Sequence, residues 1–285
     1  MSITRLGIVG SGIMGSGIAE VAAKAGVEVV LRSRQQATAD AMVAGLEKSL
    51  AKQVERGKLE ETAAKEIASR VSATADLAAL ADCDLVLESV VEDLDVKKAL
   101  FAELDAIVKP GAILATNTST LPVIEMAMAT GRPENVVGVH FFNPAPAMSL
   151  VEIIAPMTAS DDTVAAVTAF ATACGKDPVA VKDRAGFIVN ALLFPYLNNA
   201  VRMLESGTAS RDDIDTAMKG GCNFPMGPLA LLDLVGLDTS LSILDALYAE
   251  FKDPNYAAMP LLRRMVTAGQ LGRKSGAGFY DYSKK

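Results

Sequence analysis

A glycine-rich turn between a buried strand and a helix constrains this chain more than any other feature of its sequence. The apolar run at residues 6–9 is followed by Gly10-Ser11-Gly12-Ile13-Met14-Gly15 and then by helix-forming sequence over residues 16–24. The first glycine permits the tight turn, the second lets backbone amides approach a pyrophosphate, and the third lets the helix pack closely on the strand. A second strand is predicted over residues 28–31, so the pattern indicates a dinucleotide site whose contacts are Gly10, Gly12, Ile13, Met14 and Gly15.

The end of the second predicted strand indicates which dinucleotide is bound. A carboxylate at this place would accept a hydrogen bond from the 2′-hydroxyl of NAD, but the chain has Arg32-Ser33-Arg34. Guanidinium groups donate in a planar fork that matches phosphate oxygens, so NADP(H) is favoured and NAD(H) remains possible. The alternative is that one or both arginines are solvated loop charges.

Composition excludes several classes of protein. The 285 residues are 51% hydrophobic, enough for a sizeable core, and the net charge of −7 argues against a general nucleic-acid or anionic-membrane binder. No window reaches the roughly 18 apolar residues of a membrane span. The three cysteines, Cys83, Cys174 and Cys222, show no metal-like spacing and suggest reduced thiols. A cytoplasmic protein without a metal site is expected.

Short apolar runs alternate with helical sequence along the first part of the chain. Strands are predicted at residues 84–88, 112–115 and 136–140, and this alternation is typical of an α/β fold with a doubly wound, parallel sheet. Ligands of such sheets bind beyond the carboxyl ends of the strands. Because Glu92, Asn117, Ser119 and His140 end or follow these runs, one crevice could collect them.

The single histidine of the chain, His140, ends one of these runs. Histidine titrates near neutrality and is the usual general acid or base, although a lone histidine beside apolar residues is more often structural. A further strand at residues 150–154 places Glu152 inside an apolar run. A buried carboxylate needs a partner, and His140 is the obvious one, twelve residues earlier.

Two domains are expected, with the boundary near residue 184. Residues 1–184 would form the dinucleotide-binding domain, including a helical hairpin at residues 37–69 that is broken around Gly57. This hairpin carries Lys48, Lys52, Arg56 and Lys58, which form either a grip for an anionic substrate tail or an ordinary charged helix face. Residues 185–285 look almost entirely helical, beginning with an apolar helix at 187–205 whose Asn190 either caps a backbone group or faces the crevice.

Eight short motifs lie along essentially the whole chain. They are GSGIMGSGIA at residues 10–19, VVED at 90–93, TNTS at 116–119, HFFNPA at 140–145, LVE at 150–152, GFIVN at 186–190, PMGP at 225–228 and GRKSGAGFY at 272–280. Their combination and order are far more specific than any one of them alone. Together they resemble the 3-hydroxyacyl-CoA dehydrogenase family, in particular the short bacterial 3-hydroxybutyryl-CoA dehydrogenases.

The resemblance implies a role for individual residues. His140 matches the catalytic histidine and Glu152 its partner carboxylate, while Ser119 and Asn190 match residues that hold the reacting oxygen atoms. The helical second domain is implied to form a homodimer. Implied cofactor contacts are Glu92, Lys97, Asn117, Ser119, Asn143 and Lys274, and implied contacts to the coenzyme A substrate are Ser49, Lys52, Arg56, Ser119 and Asn190.

Departures from the family pattern are few. Most relatives carry Asp or Glu where Ser33 stands, which supports the NADP interpretation, while Ala191 and Phe224 replace a common arginine and a common histidine. Two alternatives remain open at this point. One is a dehydrogenase of a hydroxyacyl group tethered to a carrier protein, and the other is a non-catalytic, crystallin-like relative.

Overall fold

The glycine turn lies where the first strand of an eight-stranded sheet meets the first helix. In the computed structural model, which describes residues 2–283, strand β1 is Arg5–Val9 and helix α1 is Ile13–Lys24. The helix begins three residues before the predicted start, because Gly12 serves as its N-cap. Gly10 has φ = 135°, and a Cβ there would lie 2.2 Å from the carbonyl oxygen of Ser89, so only glycine fits.

The sheet has the doubly wound α/β architecture that the sequence predicts. The strands that follow β1 are β2 Glu28–Arg32, β3 Val71–Thr74, β4 Leu85–Glu88, β5 Ile113–Thr116, β6 Val136–Phe141, β7 Leu150–Ala155 and β8 Asp177–Lys182. The strand order is β3-β2-β1-β4-β5-β6-β7-β8, so the order reverses between β1 and β4, which are direct neighbours. Such a reversal opens a crevice at the carboxyl ends of the strands.

The sheet is mixed, and the prediction of a parallel sheet was wrong for one pairing. β7 runs antiparallel to β6, while β8 runs parallel to β7. The connection at residues 142–149 is too short for the crossover that a parallel neighbour requires, which takes roughly a dozen residues. Five helices accompany α1 in this part of the chain: α2 Gln36–Glu55, α3 Glu61–Ser69, α4 Leu94–Ile107, α5 Val123–Ala127 and α6 Asp161–Ala173.

Asp84 anchors the amino end of β4 to the start of the chain. Its carboxylate accepts hydrogen bonds from the backbone N–H of Thr4 at 2.8 Å, from that of Arg5 at 3.0 Å and from Nζ of Lys109 at 2.6 Å. Burial alone would raise the pKa of Asp84, but the hydrogen bonds from Lys109 and Thr4 outweigh it and lower the pKa to about 2.

Asp84→Asn is expected to lower the free energy of unfolding at pH 7 by about 1–2 kcal/mol, because the charged acceptor is lost. A carboxyl group with a lowered pKa stabilises the fold above its unfolded pKa of about 3.9. This contribution disappears as the pH falls toward the folded pKa of about 2. Urea unfolding of both proteins between pH 7 and pH 2 checks this. The stability difference narrows below about pH 4, and a difference independent of pH would contradict the assignment.

The chain divides into two compact units, one up to Asp183 and one from Arg184 onward. The second unit is helical, and its core includes Leu197, Leu232 and Leu244. The predicted helix at 187–205 begins at Val189, because Gly186 and Phe187 both have positive φ, at 75° and 51°. Its helices are α7 Val189–Glu205, α8 Arg211–Cys222, α9 Pro228–Val235, α10 Leu237–Phe251 and α11 Pro260–Thr267.

After α11 the described part of the second unit contains only one further helix, a short 3-10 helix at Arg273–Ser275, whereas the sequence was expected to be almost entirely helical. Isolated bridges pair Gly272 with Ala277 and Ala277 with Asp281. Asp233 of α9 holds this segment, accepting hydrogen bonds from the backbone N–H of Phe279 at 2.9 Å and of Tyr280 at 2.8 Å. Within residues 2–283, no helix combines the length and the apolar character needed to cross a membrane.

Candidate active site

His140 and Glu152 face each other across the one antiparallel pairing of the sheet. They are register partners on β6 and β7, and Nδ1 of His140 lies 2.8 Å from Oε2 of Glu152. Opposite residues of an antiparallel pair project on the same face, which explains how a separation of twelve residues becomes a direct contact. The two residues are 4% and 1% exposed, so this hydrogen bond is shielded from water.

Ser119 completes a row of three polar side chains. It follows β5, and its Oγ lies 3.1 Å from Nε2 of His140. If Glu152 is ionised it can only accept a hydrogen bond, which places a proton on Nδ1 and leaves Nε2 as the ring atom that exchanges a proton. In the row Ser119–His140–Glu152, Nε2 of His140 therefore faces the hydroxyl of Ser119, beyond the carboxyl end of β5.

Two further predicted residues join this place. Oε1 of Glu92 accepts a hydrogen bond from the backbone N–H of Ser119 at 3.0 Å and another from the hydroxyl of Thr118. Oδ1 of Asn117 accepts from the backbone N–H of Phe141 at 2.8 Å, which ties the end of β5 to the end of β6. The structure thus brings Glu92, Asn117, Ser119 and His140 together at the carboxyl ends of β5 and β6.

Of two further implied cofactor contacts, Asn143 is exposed and Lys97 is buried. Asn143 lies two residues after the end of β6. Lys97 is only 1% exposed, and its Nζ lies 2.6 Å from Oε1 of Glu88, the buried last residue of β4. Sequence reasoning did not single out Glu88. The available signal was an acidic residue that closes the apolar strand Leu85–Glu88.

The glycine turn borders a cleft of about 790 Å³, which is also lined by Ser89 and Val90. A Cβ on Gly12 would meet no atom within 4 Å, so the backbone there opens onto free space. Gly12 also caps α1, whose first turn carries no acidic residue. Unpaired amides at a helix N-terminus bind phosphate groups, and the residues present therefore fit the pyrophosphate of a dinucleotide.

Arg32, Ser33 and Arg34 line the same cleft. Ser33 is 5% exposed, whereas Arg34 is exposed, and Nε of Arg32 donates to the carbonyl oxygen of Ala75 at 3.3 Å. In the part of the chain that the structure describes, neither guanidinium is paired with a carboxylate. Positive charge at this place is available to an anionic ligand.

The predicted coenzyme A contacts of the first unit lie on α2 and at its C-cap, Arg56. Lys52 and Arg56 are exposed and one helical turn apart, so they lie on the same side of the helix. Ser49 is half-buried, and its hydroxyl donates to Oε2 of Glu20 at 2.9 Å. The serine thus connects α2 to α1.

Asn190 and Lys274 belong to the second unit. Asn190 is the second residue of α7 and is 7% exposed. Nζ of Lys274 lies 2.6 Å from the carboxylate of Asp238 on α10. This contact fixes the ammonium group within its own unit.

A doubly wound sheet with a glycine turn at its strand-order reversal, beside a serine–histidine–glutamate row, defines a nicotinamide-dependent oxidoreductase. Comparison with known families agrees. Residues 5–184 match the 3-hydroxyacyl-CoA dehydrogenase NAD binding domain, and residues 186–282 match the C-terminal domain of the same family.

Individual relatives match along their full length. The 3-hydroxybutyryl-CoA dehydrogenase of Clostridioides difficile is 48% identical, covering 98% of this chain and 100% of the relative. The enzyme of that name from Mycobacterium tuberculosis is 49% identical, covering 99% of each. The crystal structure of (S)-3-hydroxybutyryl-CoA dehydrogenase from Ralstonia eutropha has a TM-score of 0.96 and 43% identity, covering 99% of this chain and 100% of that one.

The chain belongs to the 3-hydroxyacyl-CoA dehydrogenase family. It is therefore an NAD(P)-dependent oxidoreductase that acts on a CH–OH group. The resemblance, the fold class and the enzyme class predicted from the sequence are confirmed, and the crystallin-like alternative falls away.

Proposed function

We propose that this enzyme is a short-chain 3-hydroxyacyl-CoA dehydrogenase that interconverts 3-hydroxybutyryl-CoA and acetoacetyl-CoA. The row Ser119–His140–Glu152 carries the proposal, because it pairs a titratable nitrogen with a hydroxyl donor. The relatives from C. difficile, M. tuberculosis and R. eutropha are named 3-hydroxybutyryl-CoA dehydrogenases, which supports a hydroxybutyryl group as the acyl chain of the substrate.

His140 is the proton-transfer group in the proposed reaction. A bound nicotinamide cofactor would accept a hydride from C3 in oxidation and return it in reduction. Nε2 of His140 takes the proton of the C3 hydroxyl in oxidation and donates it to the carbonyl oxygen in reduction. Glu152 orients the ring and balances the charge of the imidazolium, 2.8 Å from Nδ1. Ser119 donates a hydrogen bond to the oxygen on which charge develops, and the resemblance assigns the same role to Asn190.

The proposed cofactor is NADP(H), and the proposed direction is the reduction of acetoacetyl-CoA. The guanidinium groups of Arg32 and Arg34, which pair with no carboxylate among residues 2–283, support a 2′-phosphate, and position 33 carries a serine where a carboxylate would bind the 2′-hydroxyl of NAD. In reduction, Nε2 of His140 donates its proton to the carbonyl oxygen, while the carboxylate of Glu152 holds Nδ1 at 2.8 Å.

The proposed substrate is a coenzyme A thioester, not an acyl group on a carrier protein. The exposed Lys52 and Arg56 favour coenzyme A, whose nucleotide carries phosphates that the carrier-bound arm lacks. The assay follows acetoacetyl-CoA reduction with NADPH and with NADH. Saturable turnover of free acetoacetyl-CoA at low concentration excludes strict dependence on a carrier, and no turnover with either cofactor overturns the proposed function.

The double variant Lys52→Ala, Arg56→Ala is expected to raise KM for acetoacetyl-CoA roughly tenfold, since charge-assisted contacts to phosphate are lost. The same variant leaves KM for S-acetoacetylpantetheine unchanged, because that substrate has no nucleotide. Lys65→Ala on α3 is the matched control, an exposed lysine paired with Glu61 on its own helix. An equal rise in KM for both substrates would show that the basic residues act on helix geometry and not on phosphate.

We further propose a homodimer formed through residues 185–285. Leu192 of α7 is 73% exposed and Met203 is 44% exposed. Residues eleven positions apart lie on one face of a helix, so both apolar side chains belong to one exposed face of α7, which a second copy would cover. Residues 1–184 are proposed as the dinucleotide-binding domain.

A cytoplasmic location is proposed as well. Cys83, Cys174 and Cys222 are free thiols, as is usual in a reducing compartment. Burial raises the pKa of the Cys174 thiol to about 12, so this cysteine is poorly reactive.

A further inference from the structure

A buried ion pair lies beside the proposed proton-transfer row and has no part in the reaction described so far. Glu88 at the end of β4 is 0% exposed, and Lys97 on α4 is 1% exposed. Oε1 of Glu88 lies 2.6 Å from Nζ of Lys97. The free energy needed to remove two charges from water is about as large as the free energy gained from their attraction. A net gain in folding stability therefore does not by itself explain why this buried pair is present. Its geometry suggests another role.

The carboxylate of Glu88 joins the ends of two neighbouring strands. Besides Lys97, Oε1 accepts a hydrogen bond from the backbone N–H of Val90 at 2.6 Å. Oε2 accepts from the hydroxyl of Thr116, the last residue of β5, at 2.7 Å. Thr116 in turn accepts from the backbone N–H of Thr118 at 3.2 Å. Glu88 therefore fixes the point at which the chain leaves β5 toward Ser119.

Lys97 extends the same network to Glu92. Its Nζ lies 3.3 Å from Oε2 of Glu92, a carboxylate whose side chain is 41% exposed. The other oxygen of Glu92 accepts the backbone N–H of Ser119, and Oγ of Ser119 lies 3.1 Å from Nε2 of His140. Two routes thus run from Glu88 toward Ser119. One passes through Thr116 to the backbone N–H of Thr118, the residue before Ser119, and the other passes through Lys97 and Glu92 to the backbone N–H of Ser119 itself.

We propose that Glu88 is a positioning residue of this enzyme. It holds the ammonium group of Lys97 and the hydroxyl of Thr116 in place, and through them it fixes the backbone of Ser119 and the direction of its hydroxyl toward His140. The proposal rests on the proposed function in one respect, that Ser119 and His140 act on the reacting oxygen.

The charges explain why a neutral residue would not serve equally well. Glu88 and Glu92 share one ammonium group, at 2.6 and 3.3 Å, so Lys97 is held away from Glu92 by the stronger contact. Without the charge of Glu88, Lys97 is drawn to Glu92, and the acceptor of the Ser119 N–H moves with it. A shift of a fraction of an ångström in a reacting group is enough to change a rate.

Glu88→Gln tests the proposal, because it keeps the shape of the side chain and removes the charge. It is expected to lower kcat for acetoacetyl-CoA reduction about tenfold to a hundredfold, with KM for acetoacetyl-CoA changed less than about threefold. The imidazole signal of His140 is assigned without ambiguity by NMR, since the chain has one histidine. Its titration midpoint is expected to move in the variant, in the absence of any substrate.

Asp84→Asn is the matched control, a change at the opposite end of the same strand. It should lower the melting temperature without affecting kcat or the His140 signal. If Glu88→Gln lowers the melting temperature but leaves both kcat and the His140 titration as in the parent, Glu88 is purely structural and the proposal is overturned.

A second variant, Lys97→Met, removes the same link if Glu88→Gln does not fold. It is expected to change the His140 titration too, and an unchanged titration in the folded variant overturns the proposal. Because the NMR titration needs no substrate, it tests the positioning role even if acetoacetyl-CoA is not turned over. Failure of the proposed function and failure of the positioning role are therefore separate results.

Discussion

Replacing His140 by asparagine is expected to lower turnover of acetoacetyl-CoA by about two to four orders of magnitude, because general acid–base catalysis is lost. Asparagine retains a polar side chain that can face Glu152, so the fold and the cofactor cleft are expected to persist. Steady-state rates at saturating substrate give the loss, and quenching or enhancement of nicotinamide fluorescence gives the affinity for the cofactor. Near-normal turnover would contradict the assignment of His140 as the proton-transfer group.

Glu152→Gln separates the ring from its carboxylate partner. The imidazole remains, but an amide does not balance the charge of imidazolium across the 2.8 Å contact. The pH profile of the reduction rate is therefore expected to shift toward acid, with a smaller loss of turnover than in His140→Asn. An unchanged profile would mean that Glu152 and His140 are not coupled.

The double variant Arg32→Ala, Arg34→Ala is expected to lower kcat/KM for NADPH about a hundredfold, since charged hydrogen bonds to a 2′-phosphate contribute about 1.5–3 kcal/mol each. The kcat/KM for NADH should change little, because the adenine ribose of NADH has no phosphate at its 2′-position. Rates with both cofactors at subsaturating concentration give the ratio directly.

Arg5→Ala serves as the matched control, an arginine of the same sheet that pairs with Glu28 and lies outside the cleft. It should leave the ratio of the two cofactors unchanged. Equal use of NADPH and NADH by the parent enzyme would remove the basis of the NADP proposal.

Much of the first unit could be predicted because its signals are local. A few residues each are enough to predict the glycine turn and the apolar strands β4, β5 and β6. Edge strand β3 was not predicted, since its sequence, Val71–Thr74, is short and only half-buried and has no apolar run. The antiparallel direction of β7 follows from the short connection between the strands predicted at residues 136–140 and 150–154, a length that the alternation of strands and helices alone does not take into account.

The proton-transfer pair could be predicted from chemistry, but the network beside it could not. A buried glutamate in the strand Leu150–Ala155 demanded a partner, and His140 was the only histidine available. The pairing of Glu88 with Lys97 depends instead on how α4 packs against the end of β4. The spacing of residues in the sequence does not predict that contact. The resemblance implied a cofactor contact for Lys97, but it did not indicate that the side chain is buried.

The division into two units gives each its own spectroscopic reporter. The chain has no tryptophan, and all five tyrosines follow the boundary at residue 184, at positions 196, 248, 256, 280 and 282. Tyrosine emission therefore reports the helical unit alone, while the one imidazole reports the sheet. Unfolding followed by both signals would reveal whether the two halves melt together or in sequence, without any added label.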